Sequence, residues 1–186
     1  VASPPKISVT YDQEREKLRE QRTVILVDDI NDDSVACLVD DLYILSAAGD
    51  GPITLIIGSD GGDVMAMLTA LDAISYVRGK GIYVVGRVVG RAMSAAFVVL
   101  QACNMRQMSQ NAFLMAHGIS GFNLGVIKDQ EANVRFLHRL RDMLSELLSK
   151  RGKRDVDFWK KLLNESTPTF LDAKEAQEWG LIDEIV

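Results

Sequence analysis

The sequence predicts an α/β domain with a mostly parallel sheet and right-handed crossovers. Three observations carry this. Short apolar, β-branched runs alternate with helical segments in the order β-α-β-α-β-α-β-α. Turns rich in Gly, Asp and Asn separate them. The composition, 47% hydrophobic and 25% charged over 186 residues, is that of a globular chain long enough to bury a real core.

The elements follow in order. Residues 1–22 are polar, with two prolines and the charged run DQEREKLREQR, and are expected to form an N-terminal arm or short helix outside the core. Residues 23–186 are expected to form a single domain. TVILV, from Thr23 to Val27, is short, apolar and β-branched, as a strand requires. DDINDDS supplies a turn and an N-cap. Val35 to Ala48 then reads as a helix, with Val35, Leu38, Val39, Leu42 and Leu45 at helical spacing. After the breaker GDGP, ITLIIGS is a wholly apolar strand, as in a parallel sheet covered on both faces. Asp60-Gly61-Gly62 breaks the chain, and Asp63 to Val77 is helical. GKGIYVVGRVV is the next strand, followed by a helix from Ala92 to Cys103. MRQMSQNAFLMAH gives one or two strands and SGFNLG a loop. A long helix is predicted from Val126 to Lys150, where Leu137, Leu140, Leu144 and Leu147 recur, with Arg151-Gly152 as its stop. Shorter helices at Asp155–Leu163 and Asp172–Trp179 and a final strand, LIDEIV, complete the chain.

The net charge of −5 argues against a nucleic-acid binder, which usually carries a basic face. No apolar stretch is long enough to span a bilayer. The start, VASPPKISVTYDQ, lacks the apolar core of a signal peptide, so the expected location is cytoplasmic, or the stroma or matrix of an organelle. Cys37 and Cys103 lack metal-ligand spacing and sit in apolar settings, so both are expected to be buried free thiols, with a single disulfide as the alternative.

Three motifs can carry chemistry. Gly58-Ser59-Asp60-Gly61-Gly62 follows a strand and opens a helix, whose first N–H groups favour negative charge. A tight turn capped by Ser59 or Asp60 would explain it equally well. It lacks the spread of a dinucleotide fingerprint and the Lys of a phosphate loop. Gly90-Arg91-Ala92-Met93-Ser94-Ala95-Ala96 delivers Ser94 to a strand-to-helix corner among small residues, with the Ala95 N–H where an oxyanion donor is needed. His117 ends an apolar strand and is followed by Gly118; the only other histidine is His138. Hydroxyls are poor nucleophiles at neutral pH, and a neutral imidazole is the usual base that activates one. Each motif follows a strand, so all three can meet at one end of a parallel sheet, the usual place for chemistry in such folds. No cofactor and no metal are expected.

Together the motifs resemble the proteolytic subunit of the Clp protease over nearly the whole chain. That family's Ser-Pro-Gly-Gly turn is present as Ser59-Asp60-Gly61-Gly62. Its Gly-x-Ala-Ala-Ser-x-Gly segment is present as Gly90 to Ala96, and its Asn-x-x-x-Met-x-His-Gln-Pro segment as Asn111 to His117 followed by Gly118. Its C-terminal Phe-x-Ser-Ala-x-Glu-Ala-x-x-x-Gly-Leu-Ile-Asp is present as Phe170 to Ala176 and Gly180 to Asp183. The resemblance implies a ClpP/crotonase-like fold over residues 23–186, with the long helix as a protruding handle. It implies a serine endopeptidase with Ser94 as nucleophile, His117 as base, and an oxyanion hole from the Gly62 and Ala95 N–H groups. It also implies heptameric or tetradecameric rings that receive unfolded polypeptides from an AAA+ unfoldase.

The departures are specific. The family's triad Asp lies two residues before the Phe matching Phe170, and Pro168 stands there. The flanking basic residues that help couple ring contacts to activity are missing as well. Asn164, Glu165, Thr167 and Thr169 are the nearby candidates to replace the Asp. Ala96 replaces a glycine, and the Gln-Pro after the histidine is absent. Removing the Asp from such a triad costs about 10⁴-fold in turnover without abolishing it. Three states therefore stay open: a protease with a substituted third residue, a weakened protease, or an inactive structural subunit of a mixed ring. A capsid-maturation protease of phage type and a crotonase-type acyl-CoA enzyme are further readings of the same fold.

Overall fold

The computed structural model describes residues 15–119, 127–165 and 167–186, with side chains in the long helix described from residue 131 onward. The expected loop SGFNLG and the expected helix start at Val126 lie outside the described residues.

Among the described residues, seven strands form one sheet. They are β1 (Thr23–Leu26), β2 (Ile53–Ser59), β3 (Val84–Met93), β4 (Met105–Met108), β5 (Phe113–Ala116), β6 (Thr169–Leu171) and β7 (Glu184–Ile185). The helices are α1 (Asp32–Ala48), α2 (Val64–Gly79), α3 (Ala95–Gln101), α4 (Ile127–Arg151), α5 (Val156–Leu162) and α6 (Ala173–Glu178). Every strand pairing is parallel except β5 with β6. The alternation read from the sequence is thus the observed one, an α/β fold with a mostly parallel sheet.

The long strand β3 organises the sheet. β2 lies along one side of it. On the other side Val85–Val88 pair with β4, and Arg91–Met93 pair with β5. One strand therefore brings the ends of β2 and β5 to either side of its own end.

The structure corrects four expectations. β2 is not equally covered on both faces: Ile53, Leu55, Ile57 and Ser59 are buried, while Thr54, Ile56 and Gly58 are only partly so. β3 continues through Ala92 and Met93, and α3 starts at Ala95 and not at the expected Ala92, which leaves Ser94 at the strand-to-helix corner where the sequence puts it. β6 is a strand that its three residues, wedged between Pro168 and Asp172, are too few to announce. Cys37 is exposed, because it falls on the outer side of α1; only Cys103 is buried.

Local chemistry fixes the helix starts. Asn31 and Ser34 form a reciprocal capping box on α1. Asp63 caps α2 by accepting from the Ala66 N–H at 2.8 Å. Asp60 is thereby left free for another partner. Residues 15–20 are helical, and Arg15 and Arg19 both bind the buried Asp41 of α1.

α4 has 25 residues, about 37 Å of helix at 1.5 Å per residue. Its buried residues, Leu140, Leu144, Ser145 and Leu148, all lie in its second half. None of residues 131–139 is buried, so the helix projects, as a handle would. Near its end, Trp159 packs against Phe97, Phe158 and Trp179. The nearly buried Arg106 forks onto Asp183 and reaches the Arg151 carbonyl, tying β4 to the C-terminal strand and to the end of α4.

Candidate active site

Ser94 occupies a single-residue corner between β3 and α3, with φ 52° and ψ −119°. A non-glycine residue there costs about 1–3 kcal/mol and persists only where the surroundings enforce it. Its N–H donates to the Met115 carbonyl at 2.8 Å, and its carbonyl accepts from Val98 at 3.3 Å. Ala95, Ala96 and Phe97 behind it are buried. The side chain makes no capping hydrogen bond, so the hydroxyl is not spent on the helix. This is the geometry of a nucleophile elbow, in which a sharp strand-to-helix turn presents a hydroxyl.

The corner opens on a cavity of about 300 Å³. Gly62, Ser94, Ala95 and His117 all line it, so the four residues singled out in the sequence come together. They arrive from the ends of β2, β3 and β5, at the same end of the sheet. His138 is on the exposed side of α4 and does not line the cavity.

Two residues lining this space carry backbone amides that have no hydrogen-bond partner among the described residues. Ile30 forms a parallel bridge with Gly62, in which the Ile30 N–H binds the Gly61 carbonyl and the Ile30 carbonyl binds the Asp63 N–H. A parallel bridge of this kind leaves the Gly62 N–H on the other side. Ala95 is the first residue of α3, so its N–H has no partner within the helix. Gly61 has φ +97°, and a Cβ there would lie 2.6 Å from the Met93 carbonyl oxygen. Only glycine lets the turn approach the corner this closely.

Asp60, which also lines the cavity, binds Arg91 through both carboxylate oxygens, one at 2.8 Å. The hydrogen bond from Arg91 holds the Asp60 carboxyl below the usual carboxylate range, against a smaller opposing effect of desolvation. The pair ties the glycine turn to β3 three residues before Ser94. In the sequence Asp60 could be read as a cap of the turn, a role that Asp63 takes instead, and its pairing with Arg91 was not legible there.

His117 follows β5, and its ring is half-buried. Its Nδ1 lies 2.6 Å from the Gly118 carbonyl oxygen. β5 and β6 pair Leu114 with Leu171, Met115 with Phe170 and Ala116 with Thr169. The ladder ends at the Ala116–Thr169 pair, with His117 and Pro168 the next residues on the two strands; beyond it the register shifts, the Gly118 N–H donating to the Glu165 carbonyl. Among the described residues no side chain of Asn164, Glu165, Thr167 or Thr169 hydrogen-bonds to the ring, and no hydrogen bond joins Ser94 Oγ to His117. Catalytic hydrogen bonds are often long before substrate binds.

The remaining wall is apolar, with Met67, Phe97, Val98, Leu140, Leu144 and Leu163 around it. Leu140 and Leu144 come from α4 and Leu163 from the end of α5, a convergence that the spacing of those leucines does not reveal. A hydroxyl, an imidazole and two open N–H groups beside an apolar recess are the parts acyl transfer uses.

The family model for Clp protease matches residues 8–186. The match spans every strand that builds the cavity, including the stretch around Pro168 where the pattern departs, and the chain belongs to the Clp protease family.

Proposed function

We propose that the protein is a serine endopeptidase subunit that cleaves unfolded polypeptides. The observation that carries this is the strained Ser94 corner opening on the cavity that also holds His117 and the two free amides. In the reaction, Ser94 Oγ attacks the scissile carbonyl while His117 Nε2 takes its proton. The Gly62 and Ala95 N–H groups donate to the oxyanion. His117 then returns the proton to the leaving amine, and water cleaves the acyl-enzyme by the same steps. The apolar wall favours substrates with an apolar side chain next to the scissile bond.

Family membership supports assembly into rings that work with an AAA+ unfoldase. The projecting half of α4, with Val134 and Phe136 exposed, supports ring contacts through the handle. Short fluorogenic peptides that need no unfolding test the chemistry. Hydrolysis that disappears in Ser94→Ala supports the proposal; hydrolysis unchanged by that substitution refutes it.

One observation favours a second reading. Pro168, next to the end of the β5–β6 ladder, stands where the family's triad carboxylate is expected, which suits a structural subunit of a mixed ring with little or no activity. Peptide hydrolysis absent from the pure assembled protein, but present once it is mixed with an active relative, would favour that reading.

A further inference from the structure

We propose that the Gly118 main-chain carbonyl replaces the missing carboxylate as the group that positions His117. This rests on the serine-peptidase reading above. It starts from the 2.6 Å separation of His117 Nδ1 and the Gly118 oxygen, which suits a short N–H···O bond donated by Nδ1. An Nδ1–H tautomer leaves Nε2 bare, as a base for Ser94 must be.

The carbonyl is held by the segment that would otherwise supply the Asp. The Gly118 N–H donates to the Glu165 carbonyl at 3.1 Å, and the Ile119 N–H donates to the Leu163 carbonyl at 3.2 Å. The Gly118 carbonyl and the Ile119 N–H belong to one peptide group. In a trans peptide they point in opposite directions, and no described peptide is cis. Anchoring the N–H on Leu163 therefore aims the carbonyl away from that segment, toward the imidazole. A proline at position 119 would have no N–H to give. Gly118 is needed too, because a Cβ there would lie 2.4 Å from the Glu165 oxygen. Loss of the carboxylate at position 168 and the Gly-Ile pair after the histidine are thus two halves of one arrangement.

The consequence is a correct tautomer without a countercharge. When Nε2 takes the Ser94 proton, the imidazolium keeps its Nδ1–H on a neutral oxygen. The penalty is smaller than the roughly 10⁴-fold loss that accompanies a wrong tautomer. Gly118 is therefore a positioning residue and does not touch the reacting atoms.

Nitrogen-15 solid-state NMR on the assembled protein tests this, with His138→Gln leaving His117 as the sole histidine. The expected neutral imidazole carries its proton on Nδ1, in a hydrogen bond, with Nε2 bare. Gly118→Ala is expected to lose that signature and to slow fluorophosphonate labelling of Ser94 about 10²-fold. A proton on Nε2 in the parent protein, or an unchanged Nδ1 signal in Gly118→Ala, overturns the proposal. No labelling of Ser94 alongside an intact Nδ1 signature would instead sink the peptidase reading and leave the positioning geometry standing.

Discussion

Gly61 and Ser94 are in such close contact that a Cβ on the glycine would stand 2.8 Å from the Ser94 Cβ. The turn after β2 and the corner after β3 are therefore one unit, although 33 positions separate them in the chain. The contact sets the Gly62 turn against the corner that carries the Ala95 amide.

Gly61→Ala should break this unit. The new Cβ meets the Met93 carbonyl, and alanine at φ +97° adds backbone strain of about 1–3 kcal/mol. Denaturant unfolding should show at least that loss, and labelling of Ser94 should fall with it. Wild-type stability and labelling in this variant would show that the contact is relaxed in solution.

The Arg91–Asp60 pair should make the turn sensitive to acid. Arg91 depresses the Asp60 pKa, so the pair's contribution is complete at neutral pH and fades as pH falls through that lowered value. Arg91→Ala should move the Asp60 carboxyl titration upward, read by carbon-13 NMR. The charge-swapped pair D60R/R91D should retain more activity than either single change. An unmoved Asp60 titration would mean that the ion pair does not persist.

Pro168→Asp should strengthen the site. Position 168 is the residue next to the Ala116–Thr169 pair, beside the strand end that carries His117, so an aspartate there is placed to take Nδ1 from the Gly118 carbonyl and add the missing charge. Peptide hydrolysis should rise by about tenfold or more, with roughly 10⁴-fold as the ceiling. No gain in a correctly folded variant would show that position 168 does not reach the ring.

The cysteines should differ sharply. Burial pushes the Cys103 thiol up to about 12, whereas Cys37 is exposed. A thiol reagent at pH 8 should modify one cysteine quickly in the native protein and the second only on unfolding. Cys37→Ser should remove the fast reaction. Two fast thiols would contradict the burial of Cys103.

The parts of the fold that depend on local pattern were legible in the sequence. ITLIIGS could be read as a strand from its apolar run, and α1 from its leucine spacing and cap. What escaped depends on tertiary pairing. Arg-Ala-Met before Ser94 suits a helix as well as a strand, and pairing with β5 on one side and with Ser59 of β2 on the other makes it strand. Ser94, Ala95, Gly62 and His117 were legible as types of chemistry at the ends of strands. The Gly118 carbonyl was not, because every residue carries a carbonyl and only the fold decides where one points.

The most direct test is fluorophosphonate labelling of the assembled protein, with the modified residue located by mass spectrometry and the rate compared in His117→Ala. The account predicts a single label on Ser94 that forms at least about 10²-fold more slowly without His117. No label on Ser94, or a label whose rate ignores His117, would contradict it.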